Sequence, residues 1–131
     1  MNYKRLAIVA FAAGAVLAGC ARTAAIYNVD NAPVATANGS ALSAAQVRKA
    51  ILTAGTGLGW RIVDAGPGKL EGTLNLRTHT AVVEIPYSAQ AYSVHYKRSE
   101  NLNEANGIIH SNYNGWVQNL DRAIRTEIAR L

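Results

Sequence analysis

Hydrophobic and polar positions change their spacing several times along this 131-residue chain. The first run, Leu6 to Ala18, is uncharged and follows Lys4 and Arg5. It is far shorter than the roughly 20 residues of a membrane-spanning helix. Its length and positive flank suit the apolar core of a secretory signal. Residues 21–42 keep no period; they are rich in Ala, Asn, Thr and Ser and contain Pro33. They read as a tether which, extended, reaches about 60–70 Å. A short strand near Val34-Ala35-Thr36 is the one element expected there.

A helical period starts at Ser43. Ser43 suits an N-cap and Gln46 the reciprocal position of a capping box. Val47, Ala50, Ile51 and Ala54 follow on one face, with Arg48 and Lys49 off it. Gly55 is a good terminator, so the pattern predicts a helix over 44–54. Thr56-Gly57-Leu58-Gly59 reads as a turn. Its glycines follow a helix instead of joining a strand to one, so neither the dinucleotide nor the P-loop context is present.

From Gly59 the period becomes two. Trp60 and Ile62 alternate with Arg61, and Gly66-Pro67-Gly68 makes a turn. Leu70, Gly72, Leu74 and Leu76 alternate with Glu71, Thr73, Asn75 and Arg77. After a tight turn at Thr78-His79, Ala81, Val83, Ile85 and Tyr87 share one face, opposite Val82 and Glu84. Ser88 to Ala91 then leads to Tyr92, Val94 and Tyr96, which alternate with Ser93, His95 and Lys97. These are four antiparallel strands with one apolar face. Pro86 fits only near a strand end or edge.

Residues 98–111 form a polar connection. A second helix begins near Ser111 or Asn112, with Tyr113, Trp116, Val117, Leu120, Ile124 and Leu131 on its apolar stripe. Asp121, Arg122, Arg125 and Arg130 are placed elsewhere. Two apolar helix stripes need one apolar sheet face. The fold class is therefore α+β, a four-stranded antiparallel meander with two helices on one face, in the order α-β-β-β-β-α. A strand contributed by the tether would make this β-α-β-β-β-β-α. That order resembles the TATA-binding-protein-like topology, versions of which occur in several outer-membrane assembly lipoproteins.

Cysteine count and charge sharpen the picture. The apolar run ends in Leu17-Ala18-Gly19-Cys20, and Cys20 is the one cysteine of the chain. The motif resembles the lipobox of bacterial lipoproteins. The resemblance implies cleavage before Cys20, a diacylglyceryl thioether on its sulfur and acylation (palmitate or a similar chain) of the new amine. An odd cysteine in an exported protein needs such an explanation. Ala21, where Asp would favour retention in the inner membrane, implies by the same resemblance an outer-membrane protein facing the periplasm. The expected organisation is a signal peptide over 1–19, a lipid-anchored tether over 20–42 and one domain over 43–131. Removing 19 of the 131 residues leaves 112, enough for one core. Losing Lys4 and Arg5 takes the formal charge from +5 to +3. The basic residues are scattered and the compartment is wrong for nucleic acid.

Candidate chemistry is sparse. Pairing Tyr87 with Tyr92 places Glu84 opposite His95, a carboxylate able to raise the histidine pKa. Ser99, His95 and Glu84 form a triad on paper only. Thr73 is the expected partner of Glu84, which leaves no carboxylate pair for a hydrolase. His79 reads as a turn residue and His110 as a helix-entry hydrogen bond. The histidines lack metal-site spacing, so no metal is expected, and no cofactor beyond the covalent lipid. The open sheet face, with Arg61, Arg77, Glu84, His95 and Lys97, is the candidate binding surface. Trp60, Tyr96, Tyr113 and Trp116 are the candidate lining of a small apolar pocket; core packing is the competing role for them.

Ile109-His110-Ser111-Asn112-Tyr113-Asn114-Gly115-Trp116-Val117-Gln118-Asn119-Leu120, with Tyr96-Lys97-Arg98-Ser99-Glu100-Asn101-Leu102 and Gly59-Trp60, resembles a set of small uncharacterised proteobacterial lipoproteins. This similarity spans roughly residues 43–130 and implies an envelope location but no activity. The expected function is a non-catalytic, membrane-anchored binding or structural module of the cell envelope, with a protein or glycan partner. The alternative is a small-ligand carrier or sensor with its pocket between sheet and helices.

Overall fold

The structure, a computed structural model, describes residues 22–131. The run read as a signal peptide, the lipobox-like Leu17-Ala18-Gly19-Cys20 and Ala21 lie outside the described residues. The elements are β1 (Thr23–Ala25), β2 (Val29–Pro33), α1 (Ala44–Gly57), β3 (Arg61–Asp64), β4 (Lys69–Leu76), β5 (His79–Pro86), β6 (Ala91–Glu100), β7 (Ile108–His110) and α2 (Ser111–Ala129). The fold is α+β. Five strands form one antiparallel sheet in the order β2-β6-β5-β4-β3, and β1 pairs with β7 in a separate two-stranded sheet.

The segment read as a tether thus carries two strands, and its strand lies at Val29–Pro33 instead of Val34–Thr36. A bulge explains why no alternation showed. Val29 pairs with Val94 and Ala32 with Tyr92, so three residues on β2 span two on β6. Asn31 takes a left-handed backbone, φ 47°, and its N–H donates to Ser93 Oγ at 2.9 Å. The two inward residues, Val29 and Ala32, are therefore three apart and both buried.

α1 is capped as expected: Gln46 N–H donates to Ser43 Oγ at 3.1 Å and Ser43 N–H to Gln46 Oε1 at 2.9 Å. It runs past Gly55 to Gly57, however. Gly55 is buried inside the helix, and a Cβ there would lie 2.1 Å from Ile62 Cδ1. Close approach of α1 to β3, not termination, is what this glycine permits.

The connection over 98–111 is shorter than expected, because β6 extends to Glu100 and β7 starts at Ile108. Asn101, Asn103 and Asn106 take left-handed φ values of 56°, 55° and 52°. Asparagine tolerates this region better than most residues. His110 N–H donates to Leu102 O at 2.8 Å, and the buried Leu102 and Ile109 anchor the loop.

The core lies between the sheet and the helices. Leu70, Leu74, Ala81, Val83, Ile85, Tyr92 and Val94 from the sheet join Val47 and Ile51 of α1 and Val117, Leu120, Ile124 and Ile128 of α2 in one cluster. Each large aliphatic side chain fully buried here contributes about 1.5–3 kcal/mol. Val82 faces the other side of the sheet, opposite Thr73 and Arg98, yet it too is fully buried.

Candidate functional site

The outer sheet face is built by register. Glu71 of β4 lies directly opposite Glu84 of β5, and Thr73 opposite Val82. The expected Glu84–Thr73 pairing is thus two residues out. The cause is the hairpin: Leu76 pairs with His79, so Arg77 and Thr78 form the turn. Arg77 takes φ 57°, a conformation its side chain gives no hint of. Arg77 consequently sits at the hairpin tip and not on the sheet face.

Two carboxylates facing each other destabilise a strand pair. Lys97 resolves the conflict. Its Nζ lies 2.7 Å from Glu71 Oε2 and 3.6 Å from Glu84 Oε1, and Lys69 Nζ lies 3.9 Å from Glu84 Oε1. Lys97 reaches this position from a second bulge, where Val82 pairs with Arg98 and Val83 with Tyr96. Its ammonium holds the Glu71 carboxyl below the usual glutamate range, chiefly by their hydrogen bond, and the Lys97 pKa rises in return. Glu71 is therefore kept ionised, the reverse of what a general acid requires.

Glu84 does face His95, as the Tyr87–Tyr92 pairing implied. The imidazole nevertheless engages a different carboxylate: His95 Nε2 lies 2.7 Å from Asp30 Oδ1 on β2. Arg61 opposes Thr73 on the same face, beside the exposed Val63 opposite Glu71. Arg48 of α1 clasps Asp64 at the β3 end with two bonds of 3.0 and 2.8 Å. The face is thus a set of pre-ordered ion pairs around a buried valine. Each exposed pair adds only about 0.2–1 kcal/mol, so their effect is to fix side-chain positions more than to hold the fold.

That arrangement sets an acid response. A depressed carboxylate pKa contributes stability above its unfolded value, about 4.3, and loses it as pH falls through the lower folded value. Glu71→Gln is expected to cost under about 1 kcal/mol at pH 7 and nothing near pH 2. Urea unfolding at both pH values measures it. An equal loss at both would remove the Glu71–Lys97 pair as the cause.

The four aromatic residues expected to line one pocket separate into two pairs. Tyr96 and Tyr113 pack edge to face with ring centroids 5.5 Å apart. Trp60 is buried against Gly72, and Trp116 is half-buried beside His79, centroids 6.3 Å apart. Trp60 and Trp116 share a recess of about 60 Å³ with Leu58, Leu74 and Asn119. That is the space of about two water molecules, well short of the few hundred Å³ of a small-molecule site. A wider depression of about 200 Å³ opens instead beside Asn31, Tyr87, Tyr92 and Ser93, at the end of the sheet.

Ser99, His95 and Glu84 do not converge. The β6 bulge turns Ser99 inward opposite Ala81, where its Oγ lies 2.9 Å from Tyr96 Oη. His95 points outward. His79 Nδ1 bonds Asn101 O at 2.7 Å, and His110 Nδ1 accepts from Asn112 N–H at 3.1 Å as the cap of α2. Among the described residues no group of three His, Cys, Asp or Glu side chains is arranged to hold a metal ion.

Two acidic residues escaped the sequence reading. Asp30 lay in the supposed tether. Asp121 was assigned away from the apolar stripe of α2, yet it is buried, accepting from Tyr92 Oη at 2.5 Å and from Arg125 Nε at 3.1 Å. Its spacing was the available signal: four residues after Val117 and three before Ile124, it falls inside the stripe. No protein-family model matches the chain, and neither a curated protein nor a solved structure matches it.

Proposed function

We propose that this chain is a bacterial envelope lipoprotein, cut before Cys20, held to the outer membrane by lipid on that residue and facing the periplasm. Its domain binds a protein or glycan of the envelope and performs no chemistry of its own. The observation that carries the reading is the sequence Leu17-Ala18-Gly19-Cys20 at the end of a short apolar run behind Lys4 and Arg5. The similarity to small proteobacterial lipoproteins points the same way. The strand order β2-β6-β5-β4-β3, with α1 between β2 and β3 and α2 after β7, supports reading the topology as a TATA-binding-protein-like meander. The binding surface is the outer sheet face, which carries Arg61, Glu84, His95 and Lys97 and ends at exposed Val63 on the β3 edge. Side chains already held in ion pairs lose less freedom on binding.

Two measurements test this. The intact mass of the chain recovered from its own membranes should match cleavage at Gly19–Cys20 plus diacylglyceryl and acyl groups, and Cys20→Ser should leave full-length precursor. A photo-crosslinking residue at position 63 should then yield a discrete adduct in the envelope, while one at Arg122, on the exposed side of α2, should not. An unmodified Cys20 would refute the anchor; equal labelling from 63 and 122 would refute the face.

A further inference from the structure

Three of the six exposed large apolar residues among those described lie at one end of the domain: Leu58, Leu76 and Ile108. Leu58 caps α1, Leu76 precedes the β4–β5 turn, and Ile108 opens β7 opposite Ala25. Half-buried Trp116 links the set, its ring tilted by 49° against that of His79 and lining one recess with Leu58. The other three exposed apolar residues are elsewhere: Tyr27 is beside Asn114 and near Arg125 on the other side of α2, Val63 is on the β3 edge and Leu131 follows the far end of α2. Exposed apolar residues brought to one end in this way mark a contact site.

The chain itself indicates what covers it. Arg22 O accepts from Ser111 N–H at 2.7 Å, at the start of α2, and the next residue, Thr23, pairs with His110. Residue 22 is therefore fixed at this same end. Cys20 is two residues earlier, a span of at most about 7 Å. The supposed 20-residue tether is taken up by β1 and β2, so a lipid on Cys20 leaves the domain no room to stand away from the bilayer. We infer, building on the lipoprotein reading, that the apolar end around Trp116 lies on the lipid surface as a second contact beside the anchor. The charges on the adjoining segments, Arg22, Arg77, Glu100 and Glu104, sum to zero, so the contact is apolar and insensitive to salt. Apolar burial into the acyl boundary adds to the hold of a lipid chain in proportion to the area covered.

The test uses the full chain purified from membranes and reconstituted into phosphatidylcholine vesicles with bromine near the top of the acyl chains. Trp60→Phe leaves Trp116 as the one tryptophan. Its emission should fall relative to unbrominated vesicles, equally at low and high salt. Wild-type protein, with Trp60 buried, should show the same loss at smaller amplitude, which covers the case in which Trp60→Phe does not fold. A Leu131→Trp reporter placed in Trp116→Phe should be unaffected, and Leu76→Glu with Ile108→Glu should abolish the quenching. The mass of the Cys20 peptide is read on the same samples. Lipid on Cys20 with unquenched Trp116 overturns the inference and keeps the anchor. Quenching in a chain that lacks the lipid but floats with vesicles keeps the inference and overturns the anchor. Neither lipid nor quenching overturns both.

Discussion

Tyr92→Phe is expected to cost about 2 kcal/mol, the scale of a buried hydrogen bond to a charged group. For a domain of this size that lowers Tm by about 8 °C. Tyr92 rises from β6 into the core, is about 1 % exposed, and donates to Asp121 on α2. The carboxylate has two partners, and Arg125 is largely in solvent. Removing the phenol would leave one oxygen of a buried charge unmatched. Tyr113→Phe is the internal control. Its hydroxyl is buried with no hydrogen-bond partner among the described residues, so removing it should leave stability unchanged or raise it by about 1 kcal/mol. Burial lifts both tyrosines far above their usual range, reinforced at Tyr92 by the Asp121 bond and charge. Their neutral forms are favoured in the folded state, so stability should decline as pH rises past about 10, where the unfolded chain ionises first. Thermal melts of the two variants separate the explanations. Equal losses at 92 and 113 would mean that side-chain volume, not the Asp121 bond, sets the cost.

The contrast between these tyrosines shows where a period stops being informative. Both helices, the capping box at Ser43 and Gln46, and the inward faces of β4, β5 and β6 follow from spacing alone, because burial of one face enforces it. What spacing hides is every place where the backbone departs from a regular strand. The bulge at Asn31 concealed β2, the left-handed Arg77 shifted the β4–β5 register by two, and the bulge at Lys97 turned Ser99 inward. Each of these moved a charged residue. Asp30 became the partner of His95, Glu71 came to face Glu84, and Lys97 came to lie between them. The candidate surface was legible as a polar face, but its internal pairings were not. Pairings depend on register, and register here is set by three irregular backbone positions that no hydrophobic pattern records.

The same bulge makes β2 the element whose loss should be felt most. Val29→Asp is expected to destabilise the domain by about 3 kcal/mol or more. Val29 is 5 % exposed, on the inward face, and pairs with fully buried Val94 in the neighbouring strand. An aspartate there must bring a charge into the cluster or stay protonated, and either drives β2 off the sheet. The departure would uncover the β6 edge, remove Asp30 from His95 and free Asn31 from Ser93. Residue 22 would stay at the α2 start, because β1 pairs with β7 and not with β2, so the stretch set free would be residues 27–42. Urea unfolding gives the energy, and limited proteolysis gives the location, with new cleavage confined to residues 27–42. An aspartate tolerated at 29 with no change in midpoint or cleavage would mean that β2 contributes nothing to the sheet.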